Sequence, residues 1–284
     1  MSISPRIAVT GATGQLGGRV ARRLADASVD QVLVVRDPSR APDLPRTRVT
    51  QASFDDFAAV RAALTGVPVG LMVSASEDPD RVAQHRTFVD AAVAAGVQHL
   101  VYTSFYGAAP DATFTFARDH HETEQHIRAS GVPFTFLRDN TYADFLPMMI
   151  GEDGALRGPA GDGRISPVAL DDVADAAVTV LLDPAAHADR TYDLTGPQAL
   201  TLDEVAAILT AARGRPVRYE PETIEQAYAS RAGYGAPDWL VDGWVSTCTA
   251  IAAGELAGVS DDVARLTGRR ATSFGELACA TALA

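Results

Sequence analysis

The run Ile7-Ala8-Val9-Thr10 leads directly into Gly11-Ala12-Thr13-Gly14-Gln15-Leu16-Gly17. No other stretch restricts the fold as strongly. An apolar segment of strand length ends at a glycine, and an amphipathic, alanine-rich segment from Leu16 to Ala27 follows at once. Gly11 permits the tight turn after the strand, Gly14 lets the backbone approach a phosphate, and Gly17 lets the helix pack close to the sheet. The amides and the positive dipole end of the new helix then meet a negative charge. The spacing predicts a dinucleotide pyrophosphate site on a parallel α/β sheet. A plain glycine-rich turn is the alternative.

The rest of the first half alternates in the same way. Strands are expected near Ile7–Thr10, Val32–Val35, Arg48–Ala52, Val69–Ser74, Leu100–Ser104 and Phe134–Arg138. Helices are expected over Leu16–Ala27, Phe57–Leu64, Arg81–Ala95 and Arg118–Ser130, with Gly96 and Gly131 as stop signals. Such alternation implies right-handed crossovers and a Rossmann-type, doubly wound parallel sheet. The regularity breaks after about Tyr142. Gly151–Gly163 reads as a loop or short hairpin, and Leu156–Ile165 as a segment closing over a ligand. Thr201 with Glu204 has capping-box spacing. Short strands are expected at Thr191–Leu194 and Val217–Glu220, and Thr223–Ala284 reads as mostly helical. The expected organisation is a cofactor-binding core over residues 1–150 and a smaller, mostly helical substrate-binding region over 151–284, with a lid-like segment near 154–166.

The 284 residues carry a net charge of −12. That balance argues against a nucleic-acid partner, which needs a basic face. Cys248 and Cys279 have no metal-ligand spacing, so no metal is expected. No run approaches the ~20 apolar residues of a membrane helix, and no secretory signal is visible. The expectation is a cytoplasmic enzyme with no membrane partner. All 24 basic residues are arginine; lysine chemistry is excluded.

Arg36 ends the second strand, in Val35-Arg36-Asp37-Pro38-Ser39-Arg40. At this position an acidic residue accepts from the free ribose hydroxyls, whereas an arginine accommodates a 2′-phosphate. Arg36 therefore favours NADPH, with NADH as the alternative if Asp37 turns toward the ribose instead.

Four stretches together resemble the atypical short-chain dehydrogenase/reductases of the NmrA-like branch, near type 2 quinone reductases and triphenylmethane reductases. They are the glycine turn, Val73-Ser74-Ala75-Ser76-Glu77 with Arg81 and Gln84-His85-Arg86, Val101-Tyr102-Thr103-Ser104, and His120–Glu124 with Leu137-Arg138-Asp139-Asn140-Thr141-Tyr142. The resemblance implies that Gly11, Thr13, Gly14, Gln15 and Leu16 hold the pyrophosphate and Arg36 the 2′-phosphate. It implies that Ser74, Ala75 and Ser76 line the ribose and nicotinamide, with Asn140 and Tyr142 near the nicotinamide end. Two departures stand out. Ser53 replaces a frequent acidic residue, and Asp139-Asn140 replaces a frequent Asn-Gly.

Most short-chain reductases protonate the product with a tyrosine, assisted by a lysine four residues later. At the matching helix of this chain stand His120 and Glu124, one helical turn apart. As a pair they would form a proton donor of raised pKa; a helix-surface ion pair is the alternative. Ser104 occupies the place of the family's carbonyl-polarising serine. Ser104 and His120 are the catalytic candidates, with Tyr106 a further donor. Without the tyrosine–lysine pair, the acceptor best suited is flat and conjugated, because its anion survives until a proton arrives. A quinone fits, and so does an aromatic polyketide ketone beside a phenol, which would place the chain in antibiotic biosynthesis. The partner is then a small aromatic substrate, with Phe105, Tyr106, Tyr142, Phe145 and Met148–Met149 as cleft candidates. The competing reading is a non-catalytic, NADP-binding redox sensor of the NmrA type.

Overall fold

The computed structural model describes residues 6–282. Its first half follows the predicted alternation: β1 (Ile7–Thr10), α1 (Gln15–Asp26), β2 (Gln31–Val35), β3 (Thr47–Gln51), α2 (Phe57–Leu64), β4 (Val69–Met72), α3 (Arg81–Ala94), β5 (His99–Phe105), α4 (Thr115–Ser130) and β6 (Phe134–Asp139). The second half adds β7 (Ala155–Gly158), β8 (Arg164–Ile165), α5 (Leu170–Leu182), β9 (Arg190–Leu194), β10 (Leu200–Thr201), α6 (Leu202–Arg213) and β11 (Arg218–Pro221). It closes with α7 (Ile224–Arg231), α8 (Asp238–Ala252), α9 (Asp262–Thr267) and α10 (Phe274–Ala282).

Among the described residues, seven strands form one sheet in the order β3-β2-β1-β4-β5-β6-β9. Ile7 lies opposite both Gln31 and Val69, and Val69 opposite His99, all in parallel register. The Leu100 amide donates to Pro133 O and the Tyr106 amide to Asp139 O, so β5 and β6 also run parallel. The chain winds outward from β1 to β3, then returns to place β4 on the other side of β1. That reversal is the switch point at which open α/β sheets take their ligands, outside the carboxyl ends of the strands. Strands covered on both faces read as continuous apolar runs. β1, β2 and β4 are buried along their whole length, whereas the edge strand β3 is mostly exposed and polar.

The chain divides into two compact units. One comprises the residues up to Ser104, Asp119–Arg138 and Val173–Tyr192; the other comprises Phe105–Arg118, Asp139–Asp172 and the residues from Asp193 onward. In the first, Val34, Met72, Leu100 and Phe136 on strands pack against Leu64, Phe88 and Ile127 on helices. Each such burial is worth about 1.5–3 kcal/mol.

In the second unit, Leu146, Leu156, Ile165, Leu209 and Phe274 share a core. The predicted capping box is present: Glu204 N donates to Thr201 Oγ1 at 3.1 Å, and Thr201 N to Glu204 Oε2 at 2.9 Å. The buried Asp172 carboxylate receives the Thr272 amide at 2.6 Å and the Arg269 guanidinium at 2.6 Å.

The glycine-rich stretch, expected as a loop or short hairpin, opens with a tight turn in which Gly151 N donates to Ala155 O at 2.9 Å and Ile150 bridges Leu156 antiparallel, and it continues into short strands. β7 pairs in parallel with β11, and β8 pairs antiparallel with β10. Leu156, Ala160 and Ile165 are fully buried. A Cβ on Gly163 would stand 2.1 Å from Ile251 O, and one on Gly158 would stand 2.5 Å from Cys248 Sγ. Gly158 and Gly163 thus serve close packing. No helix among the described residues is long and apolar enough to cross a membrane.

Candidate functional site

The turn after β1 is built as the sequence predicts. Gly11 has φ +63°, a left-handed conformation that glycine adopts at no steric cost. The Gly14 amide closes the turn onto Gly11 O at 2.9 Å. A Cβ on Gly17 would lie 2.4 Å from Gly11 O and 2.6 Å from Thr10 O, so the helix can approach the strand only through a glycine. Gly14 caps α1 without a side-chain hydrogen bond, and no acidic residue occupies the first turn. The amides that begin α1 therefore remain available to an anion. Thr13, Gly14 and Gln15 are exposed beside them, and Leu16 is buried beneath.

Past the end of β2 lies a cavity of about 400 Å³, lined by Arg36, Gln51, Ala52, Ser53, Asp56 and Ala59. Gln51 Nε2 donates to Arg36 O at 2.9 Å, which fixes the backbone that carries the arginine. Asp37 is engaged elsewhere. It accepts from Ser39 N at 3.0 Å and Ser39 Oγ at 2.6 Å, capping the 3-10 turn Pro38–Arg40. Those bonds hold its carboxyl below the usual range. The acidic alternative to Arg36 is thus tied into its own turn.

The loop after β4 is held by side chains from three elements. Val73 N donates to Thr10 Oγ1 at 2.8 Å, Ser74 N to Thr103 Oγ1 at 2.9 Å, and Ala75 N to His85 Nε2 at 3.0 Å. Thr123 gives its own proton to Asp119 O, so His85 Nδ1 donates to Thr123 Oγ1 and Nε2 is the acceptor. The ring must stay neutral for this. Burial, with a contribution from the Arg81 cation, brings its pKa down to about 3. Ser74 and Ala75 are half-buried and Ser76 is exposed.

Ser104 and His120 enter a buried polar cluster. Ser104 Oγ donates to Glu124 Oε1 at 2.6 Å. Arg138 grips the same carboxylate with two bonds, Nε to Oε1 at 2.8 Å and Nη2 to Oε2 at 2.7 Å. His120 Nδ1 lies 2.9 Å from the Tyr102 hydroxyl. Burial, reinforced by Arg81 and His85, moves the His120 pKa well below its ordinary value. That direction is opposite to the one expected of a histidine–carboxylate donor, because desolvation outweighs any anionic neighbour. The Tyr102 phenol is pushed up, also chiefly by burial.

In the second unit, Asn140 is buried. Its Nδ2 donates to Leu256 O at 3.0 Å, and its Oδ1 accepts the Thr141 amide at 2.7 Å. Tyr142 OH donates to Asp139 Oδ2 at 2.7 Å. Burial pushes Tyr106 up, with Asp193 adding to the shift. Phe145, Met148 and Met149 are exposed. Sequence reading missed Thr10, Thr103 and Tyr102 as site-building residues. A hydroxyl at the end of an otherwise apolar strand was the available signal.

These features fit a dinucleotide: a cradle that any Cβ would fill, an unblocked helix start, and an arginine on a cavity at the next strand end. Residues 11–184 match the family described as NAD(P)H-binding. The chain belongs to the NAD(P)H-binding family. It is 38% identical over 283 residues to the NAD(P)H azoreductase of Xenophilus azovorans, covering 98% of each chain. The crystal structure of an NADPH-dependent quinone oxidoreductase from Escherichia coli in complex with NADPH superposes with a TM-score of 0.88. Identity is 35%, with 97% of this chain and 99% of that one covered. The Citrobacter sp. triphenylmethane reductase complexed with NADP(H) gives a TM-score of 0.86 at 32% identity, with 97% and 99% covered. This family member is an NAD(P)H-dependent oxidoreductase with an NmrA-like fold.

Proposed function

We propose that this oxidoreductase uses NADPH to reduce a flat, conjugated acceptor, either a quinone or an aromatic ketone flanked by a phenol. The observation that carries the reading is the complete absence of lysine. A tyrosine–lysine acid pair cannot form, and His120, at the matching place, is held neutral by burial. An ordinary ketone would leave a strongly basic alkoxide with no such donor. A quinone, or a ketone hydrogen-bonded to its own phenol, leaves a delocalised or internally bridged anion instead. The azoreductase and quinone oxidoreductase relatives support an acceptor of this kind.

In this reading Gly11, Thr13, Gly14, Gln15 and Leu16 hold the pyrophosphate, and Arg36 pairs with the 2′-phosphate. Ser74, Ala75, Ser76 and Asn140 position the remainder. The bound cofactor supplies the hydride. Ser104, anchored on Glu124, sets the strand end beside the loop 74–76. His120 contributes as a neutral ring that orders Tyr102. An aromatic polyketide of the angucyclinone type lies within the acceptor class, and a role in antibiotic biosynthesis is part of this proposal.

The test is NADPH oxidation with a quinone, an azo dye, a peri-hydroxylated polycyclic ketone and a simple aliphatic ketone. Turnover is expected with the conjugated acceptors and not with the aliphatic ketone. Preference for the aliphatic ketone would overturn the reading, and binding without turnover across the panel would favour the redox sensor. Arg36→Ala is expected to weaken NADPH by roughly 10–100-fold, as loss of charged hydrogen bonds does, while leaving NADH affinity nearly unchanged. Calorimetry with both nucleotides checks this.

A further inference from the structure

β2 and β3 run in parallel with Val35 opposite Gln51. Their backbone ladder reaches the Ala52 amide on Val35 O, at 3.0 Å. Arg36 is the first residue past it. No backbone amide among the described residues meets Arg36 O; the Gln51 carboxamide does, through Nε2 at 2.9 Å. A side chain adds the rung that the backbone cannot, because the chain leaves the sheet here for the 3-10 turn Pro38–Arg40. β3 is the outer strand of the sheet and Gln51 is exposed, so no core packing requires a glutamine at this place.

The rung holds a choice in place. Arg36 and Asp37 are neighbours of opposite charge at the end of one strand. Asp37 has an extended backbone, φ −126° and ψ 103°, and side chains at successive extended positions point to opposite sides. Arg36 lines the cavity of about 400 Å³, whereas Asp37 is turned onto Ser39. Asp56, the carboxylate on the cavity wall, accepts the Ala59 amide at 2.9 Å and caps α2. Arg36 is exposed, and no salt bridge holds its guanidinium among the described residues. Its aim therefore depends on its backbone. A rotation of the chain past Val35 would exchange the two side chains. Arginine toward the cavity suits a 2′-phosphate, and the carboxylate suits free ribose hydroxyls. All of these residues lie in the compact unit that carries the glycine turn, and Thr10 lies opposite Val34 in the same sheet.

We propose that Gln51 is the positioning residue that sets the preference for NADPH over NADH, a role that rests on Arg36 pairing with the 2′-phosphate as above. Gln51 holds Arg36 O and so fixes the strand end with the arginine toward the cavity and Asp37 toward Ser39. The phosphate meets an arginine whose backbone is already ordered, so binding need not order it again. NADH carries no 2′-phosphate and gains nothing from the rung. With the rung gone, Asp37 is free to compete for the same place.

Gln51→Met keeps the length of the side chain and removes its donor. Calorimetric titration of the full-length protein with NADPH and with NADH compares wild type, Gln51→Met, Arg36→Ala and the double variant. Gln51→Met is expected to raise the Kd for NADPH roughly three- to tenfold, the reach of one hydrogen bond, with the Kd for NADH unchanged or lower. In the Arg36→Ala background the same substitution is expected to leave the NADPH affinity as it was, because no guanidinium remains to be aimed. Gln51 itself lines the cavity, so a direct contact with the nucleotide is the rival explanation. A loss that persists without Arg36 would establish that contact and overturn the positioning role. Equal weakening of both nucleotides in Gln51→Met overturns it too, since a merely structural glutamine would act on both alike. If wild type binds the two nucleotides equally, the pairing of Arg36 with a 2′-phosphate fails and the role of Gln51 with it. A wild-type preference that survives intact in Gln51→Met overturns the role of Gln51 alone.

Discussion

Gly17→Ala is expected to abolish useful NADPH binding, with at least a 100-fold rise in Kd, or about 2.7 kcal/mol. The added Cβ would meet Gly11 O, the Gly11 carbonyl carbon and Thr10 O at 2.4–2.6 Å. All are backbone atoms of the turn itself, and none can swing aside as a side chain would. Relief requires α1 to move off β1, which breaks the Gly14–Gly11 closure and misaligns the amides that face the phosphates. Gly18→Ala is the control. Its Cβ would meet Ala12 O at 3.1 Å and the flexible Arg22 guanidinium at 3.4 Å, so a small shift suffices. Calorimetric titration of both variants, with circular dichroism to follow folding, separates a local defect from a global one. Equal affinities for the two variants would mean that the turn is not the phosphate cradle.

Arg138→Met is expected to be the most destabilising single change outside the apolar cores, at about 3–5 kcal/mol. Glu124 is 1% exposed and depends on Arg138 for two bonds and on Ser104 for one. Removing the guanidinium leaves a desolvated carboxylate with a single hydroxyl donor. The double variant Glu124→Gln with Arg138→Met should recover much of the loss, because no uncompensated charge remains. Urea denaturation of the single and double variants gives the coupling. A single variant as stable as wild type would show that water already solvates Glu124.

The cofactor half of the molecule was legible because its determinants are local. Gly11, Gly14 and Gly17 fall within seven residues of one another, and Arg36 is placed by the end of a continuous apolar strand. Thr201 and Glu204 announce a helix start by spacing alone, and both reciprocal bonds form. The parallel sheet followed from alternating apolar runs and amphipathic helices. The polar cluster was not legible. Ser104 and Glu124 are 20 residues apart, and Asp172 and Thr272 are 100 apart, so only the tertiary fold pairs them. His120 was read from its helical neighbour Glu124, yet burial sets its protonation. Within 151–163 turn and packing glycines look alike in sequence: Gly154 and Gly161 take positive φ, whereas Gly158 packs against Cys248. Gly163 against Ile251 O is packing.

Three consecutive amides, Val73, Ser74 and Ala75, are each bound to a side chain of the surrounding fold. Their donors are spent before any ligand arrives. In the proposed reading, a nucleotide meeting Val73–Ala75 finds carbonyl oxygens and the Ser74 hydroxyl in place of free amides, which suits recognition of donors such as ribose hydroxyls and a carboxamide. The loop's conformational entropy is surrendered when the chain folds rather than when it binds, so association need not order it again. Thr10, Thr103 and His85 thereby shape affinity as preorganising residues, even though their own donor and acceptor atoms are turned inward.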